Sequence, residues 1–92
     1  MTNLERIMNR RKFLRLLTQG NLNNISFADF INLMESFGFK LLRTRGSHNI
    51  YGHAQISELV NIQNVKGEVK PYQARQFLRL VERYNIKMEP EE

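Results

Sequence analysis

Six consecutive residues, Arg43-Thr44-Arg45-Gly46-Ser47-His48, hold the side chains best suited to chemistry in this 92-residue chain. Two arginines precede a glycine, and a histidine follows it two positions on. Arginine presents a planar fork that fits phosphate oxygens and keeps its charge at any physiological pH. Histidine exchanges protons near neutrality. One reaction uses both: cleavage of an RNA backbone by its own 2′-hydroxyl. That reaction needs a proton acceptor, a proton donor to the leaving oxygen and positive charge at the phosphate, but neither a metal nor an external water. General acid–base help is worth roughly 10²–10⁴-fold. His48 supplies part of it, and no second proton-transfer residue stands out. By itself, a histidine after a glycine turn is more often a surface polar residue than a catalyst.

Other residues add to the basic, aromatic character of this region. Tyr51 can stack on a base or pack with its hydroxyl at the rim. His53 lies five residues beyond His48, on the opposite face of a regular strand, so the two do not pair on a metal and His53 reads as a turn residue. Lys66 and Lys70 lie at the loop and the entry of a predicted helix, whose N-terminus favours phosphate. Arg75, Arg79 and Arg83 recur every four residues, either as a solvated face or as a stripe that meets phosphates or an acidic protein.

The elements that must position these residues are legible from periodicity. Thr2 with Glu5 forms a capping box for a helix over residues 3–18, with Leu4, Ile7, Met8, Phe13, Leu14, Leu16 and Leu17 on its apolar side. Gly20-Asn21-Leu22-Asn23-Asn24 is a connector. Ser26, with Asp29 three residues on, caps a second helix carrying Phe27, Phe30, Ile31, Met34 and Phe37 at helical spacing. Gly38 ends it. Three short extended segments follow, Phe39 to Arg45, Ser47 to Tyr51, and one within Ile56 to Val65 with Val60 and Ile62 inward. Gly46 makes the tight turn between the first two. Ile50 reads as buried and His48 shares its parity, so either His48 sits at the strand mouth, before regular pleating starts, or Ile50 is more exposed than its type suggests. Lys66-Gly67-Glu68 is a loop, and Pro71 opens a last helix with Ala74, Phe77, Leu78 and Val81 on its buried stripe. The expected fold is therefore α+β: a two-layer sandwich of order α-β-β-β-α, with a three-stranded antiparallel sheet and an extra N-terminal helix. The expected divisions are 1–24 (helical extension and connector), 25–86 (the main domain) and 87–92 (a flexible acidic tail).

Composition narrows the function classes. With 41% hydrophobic and 25% charged residues, the chain is an ordinary globular domain. It has no cysteine, which removes disulfides, thiolate metal sites and a cysteine nucleophile. No apolar run approaches the roughly 18 residues of a membrane helix, and Arg10, Arg11 and Lys12 fall where a signal peptide would be apolar. The expectation is a cytoplasmic protein with no membrane partner. The net charge of +5 is uneven: +4 over residues 1–24, +3 over 25–86 and −2 over 87–92. RNA, DNA or an acidic protein is the natural partner.

The stretch Phe37-Gly-Phe-Lys-Leu-Leu-Arg-Thr-Arg-Gly-Ser-His-Asn-Ile-Tyr51 resembles the signature of the HicA toxins, also called the YcfA-like family: a helix, then "GF", a basic strand, "GSH" and an aromatic. Val65-Lys-Gly-Glu-Val-Lys-Pro71, running into the last helix, is similar to the family's "lysine–proline, then helix" ending. The resemblance covers roughly residues 26–86. It implies a fold like a double-stranded-RNA-binding domain and the activity of a metal-independent mRNA interferase without a cofactor, neutralised by a HicB-like antitoxin. It maps the family's essential histidine onto His48, its motif glycine onto Gly46, and the residue between them onto Ser47, which would orient the imidazole or bond a phosphate oxygen. RNA contacts are expected at Arg43, Arg45, Tyr51 and Lys70. Two departures stand out. The helix over 3–18 has no counterpart in the short members. Where many members carry a proline and a second histidine, this chain reads Asn61-Ile62-Gln63-Asn64. The alternatives are an RNA-binding module of the same fold that does not cut, and a protein-interaction domain whose basic face meets an acidic antitoxin.

Overall fold

A computed structural model describes residues 3–90 of the chain, with side chains from residue 10 onward. The predicted Thr2–Glu5 capping box and the apolar positions Leu4, Ile7 and Met8 lie outside the described side chains. The elements are α1 (Asn3–Thr18), β1 (Ile25–Ser26), α2 (Phe27–Ser36), β2 (Lys40–Arg45), β3 (His48–Gly52), β4 (Val60–Gln63), β5 (Glu68–Val69) and α3 (Pro71–Arg83). The fold is α+β: among the described residues, three helices accompany an antiparallel sheet of order β2-β3-β4, the layout of a double-stranded-RNA-binding domain. No helix among the described residues is long and apolar enough to cross a membrane.

Local chemistry sets the element ends. Ser26 is the N-cap of α2, its hydroxyl accepting the Asp29 N–H at 3.2 Å. At the other end Gly38 takes φ 87, its N–H donates to the Glu35 carbonyl, and Phe39 N–H reaches back to Met34. These paired bonds are a Schellman cap, which needs a left-handed residue after the last turn. Gly20 closes α1 the same way, and Asn85, at φ 51, closes α3.

Phe77 of α3 is the centre of the core. It meets Phe30, Phe37 and Phe39 edge-to-face at centroid distances of 5.4, 5.7 and 5.4 Å. Such pairs add about 0.5–1.5 kcal/mol each beyond the area they bury. Leu33 and Met34 from α2, Val60 and Ile62 from β4 and Ala74 and Leu80 from α3 belong to it. Phe27, Leu78 and Val81 pack against its margin.

Four findings differ from or extend the sequence expectations. The helix α1 docks on this same core through buried Leu17 and half-buried Phe13 and Leu14, whereas Leu16 is exposed. Of the loop expected over residues 66–68, Lys66 and Gly67 form a tight turn and Glu68 opens β5. Val65 and Glu68 exchange both backbone hydrogen bonds, Lys66 and Gly67 take φ 53 and 84, and β5 then pairs with β1, Ile25 opposite Val69. Two consecutive left-handed residues are the type I′ pattern. The early part of the 87–92 tail is anchored: Met88 packs on the core, and Glu89 N–H donates to the Ser36 carbonyl at 2.6 Å. Finally, Ile50 is half-buried and Tyr51 is the inward residue of β3.

Candidate functional site

Strand alternation gives the sheet two unlike faces. Tyr51, Val60 and Ile62 are buried beneath the helices. The alternate positions, His48, Ile50, Asn61 and Gln63, therefore share the other face, with His48 opposite Gln63 and Ile50 opposite Asn61. No helix among the described residues covers it, and His48 is exposed. The conflict over parity disappears: His48 and Ile50 do share a face, but it is the open one.

The arginines reach that face because of an irregularity. Leu41 stands opposite Tyr51, yet Arg43 stands opposite Ile50, so Leu42 is an extra residue bulged out of the ladder. Continued without the bulge, the register would set Arg43 opposite Asn49, on the helix side. With it, Arg43 faces out beside Ile50, and Arg45 lies directly opposite His48. Re-aiming side chains in this way is a general property of bulges.

Between Arg45 and His48 lies a two-residue turn. Gly46 takes φ 61, and Ser47 has no positive φ. Glycine first, with an ordinary second residue, is the type II′ pattern, whose twist suits a hairpin. A Cβ at Gly46 would meet nothing within 4 Å, so glycine is required there by its backbone angle alone.

Side-chain bonds brace this end of the sheet. His48 Nδ1 lies 3.2 Å from Asn61 Oδ1. Gln63 Nε2 donates to Ser47 Oγ at 3.0 Å, so Ser47 bonds Gln63, and the group against the imidazole is Asn61. Thr44 Oγ1 donates to Asn49 Oδ1 at 3.2 Å, and Asn49 Nδ2 donates to the Ile62 carbonyl, also at 3.2 Å. Gln63 N–H donates to Oε1 of Gln73 at 3.0 Å. Gln73, only 3% exposed, belongs to the first turn of α3. This bond sets the α3 N-terminus beside the His48 end of the sheet. Lys70 caps α3 there, exposed and extended (φ −71, ψ 144) ahead of Pro71. Positive charge and the helix N-terminus together favour an anion at that end.

Two expected residues lie elsewhere. Tyr51 is 5% exposed and part of the core, so its ring is not a stacking surface for a base. Burial pushes its phenol above the ordinary 10.0, and the charge of Glu35 pushes the same way. His53 packs edge-to-face on Phe39 at 5.1 Å, and its Nδ1 accepts the Gln55 N–H. It is a structural turn residue. Of the three arginines on α3, Arg83 pairs with Glu58 at 3.2 Å, and Arg75 and Arg79 are exposed. Asn61 and Gln63 are the site residues that sequence reasoning missed. Their signal was alternation: with Val60 and Ile62 inward, both amides must face out. Among the described residues, no three His, Cys, Asp or Glu side chains come together.

The family model described as the HicA toxin of bacterial toxin–antitoxin systems matches residues 27–82. That stretch runs from the first residue of α2 almost to the end of α3, and it contains the whole constellation around His48. Comparison with curated proteins and with solved structures returns no match.

Proposed function

The chain belongs to the HicA toxin family of bacterial toxin–antitoxin systems, and from that premise we propose that it is an endoribonuclease that cleaves mRNA with His48 as its proton-transfer residue. The observation that carries this reading is the shared open face: an exposed imidazole directly opposite one arginine and next to another. Arg43 and Arg45 hold the phosphate. The 2′-oxygen attacks phosphorus, the bond to the 5′-oxygen breaks, and a 2′,3′-cyclic phosphate and a 5′-hydroxyl result. His48 accepts the 2′-hydroxyl proton and, as imidazolium, passes it on to the leaving 5′-oxygen. The amides of Asn61 and Gln63 exchange no protons at neutral pH, so of these three neighbouring side chains only the imidazole transfers a proton.

Phosphate contacts supply affinity with little sequence choice, and Lys70 extends the positive surface toward α3. A HicB-like antitoxin is the proposed protein partner. Leu42 and Leu59, 59% and 43% exposed, flank Gly52 on the same open face. Exposed apolar side chains grouped in this way suit a protein contact better than a phosphate backbone.

Induced expression of the wild type and of His48→Ala tests the enzyme reading. The wild type arrests growth and degrades RNA. The variant loses both, with cleavage falling roughly 10²–10⁴-fold, while circular dichroism stays unchanged because the side chain is exposed. Equal toxicity in the variant would remove His48 as the catalyst. RNA binding retained without any cleavage by the wild type would leave the non-cutting module.

A further inference from the structure

We infer that Asn61 is a positioning residue for His48: its amide oxygen holds the imidazole Nδ1–H and leaves Nε2 as the basic nitrogen turned to the open face. The inference rests on the nuclease reading above. Strand register brings the two side chains together. Asn61 stands opposite Ile50, one step along the same face from the His48–Gln63 pair. Diagonal neighbours of this kind come within reach of long side chains, and Oδ1 lies 3.2 Å from Nδ1.

The chemistry follows from which atoms face each other. A carbonyl oxygen only accepts, so the nitrogen it meets carries the hydrogen. In the neutral ring the other nitrogen is then the proton acceptor. A free imidazole side chain favours the opposite tautomer, with the proton on Nε2. Asn61 therefore holds the ring in its less favoured form and points the basic atom away from β4. The strand beneath is held as well. Gln63, two residues on, is tied at its side chain to Ser47 and at its backbone to the buried Gln73. Arg45 stands directly opposite His48, and Arg43 lies two residues along β2. Both are cations, so Asn61 orients the imidazole without a carboxylate that would hold it protonated.

Nitrogen-15 NMR of the histidine ring reads the tautomer directly, and cleavage of a mixed-sequence single-stranded RNA oligonucleotide reads the consequence. In the neutral ring of the wild type, His48 is expected as the Nδ1–H form. Asn61→Leu should return it to the Nε2–H form and lower kcat about 2- to 10-fold with KM unchanged, the effect of one neutral hydrogen bond. Asn61→Asp keeps an oxygen in place and should keep the Nδ1–H form. Its carboxylate favours the imidazolium, so the acid limb of the pH–rate profile moves to higher pH. A wild-type ring already in the Nε2–H form, or an Asn61→Leu enzyme with unaltered kcat, overturns the inference. His48→Ala runs alongside: cleavage surviving in that variant overturns the nuclease reading, whereas the wild-type tautomer reports on Asn61 either way.

Discussion

The two faces of the β2-β3-β4 sheet are built from alternate residues of the same strands, yet they obey different physics. Tyr51, Val60 and Ile62 turn toward the helices, where apolar area leaves water and Phe77 gathers three aromatic neighbours. Arg43, Arg45, His48, Asn61 and Gln63 turn outward, where charge and hydrogen bonding are retained in water. The first face holds the fold together and the second is free to act. A one-residue change in register exchanges the two sets. The Leu42 bulge uses that sensitivity, because it leaves Leu41 opposite the inward Tyr51 and still delivers both arginines to the outer face.

The sharpest way to break this division is Phe77→Ala. Removing the ring that three others meet is expected to cost about 3–5 kcal/mol, measured by denaturant titration, and any loss of cleavage should follow the unfolded fraction. Gly46→Ala should cost less, about 1–2 kcal/mol, because an L-residue is forced to positive φ where space is not lacking. It also tilts the turn that presents His48, so cleavage by the folded fraction should fall, which separates it from the core variant.

Tyr51 gives the inner face a pH signature. Its phenol ionises at higher pH in the folded than in the unfolded chain. Both forms are protonated at neutral pH. Above about 10 the unfolded state loses its proton first, so stability falls as pH rises through that range. Tyr51→Phe should flatten this part of the profile, followed as midpoint against pH. The smallest stability change belongs to the outer face. Arg43→Ala and Arg45→Ala should each shift stability by no more than about 0.5 kcal/mol. Each should also make the salt dependence of single-stranded RNA binding shallower by about 0.7 in slope, because one fewer phosphate is neutralised. Slopes that do not change would move phosphate binding off this face.

Much of the fold was legible because short-range signals agreed. Ser26 and Gly38 bracket α2, Gly46 marks the hairpin, and Pro71 opens α3. Each acts through the conformation of its own backbone or through bonds a few residues away, so neighbours in sequence suffice to reveal it. The β1–β5 pair was not legible. It joins Ile25 to Val69 through two-residue strands, too short for any alternation to emerge. The site was legible in part. The Arg-Thr-Arg-Gly-Ser-His run points to His48 and its two arginines, whereas Tyr51, an expected RNA contact, lies in the core. One aromatic residue in a strand carries no mark of which face it takes.

What the sequence by itself determined is therefore the inventory and its local placement: helices and their caps, the glycine turn, and a histidine beside two arginines. What only the tertiary structure decided is which of these residues share a face. The Leu42 bulge, the burial of Tyr51 and the meeting of His48 with Asn61, 13 residues away, all depend on strand register. Register arises when distant segments bury their apolar sides together, an energy summed over the whole core and absent from any local stretch of chain.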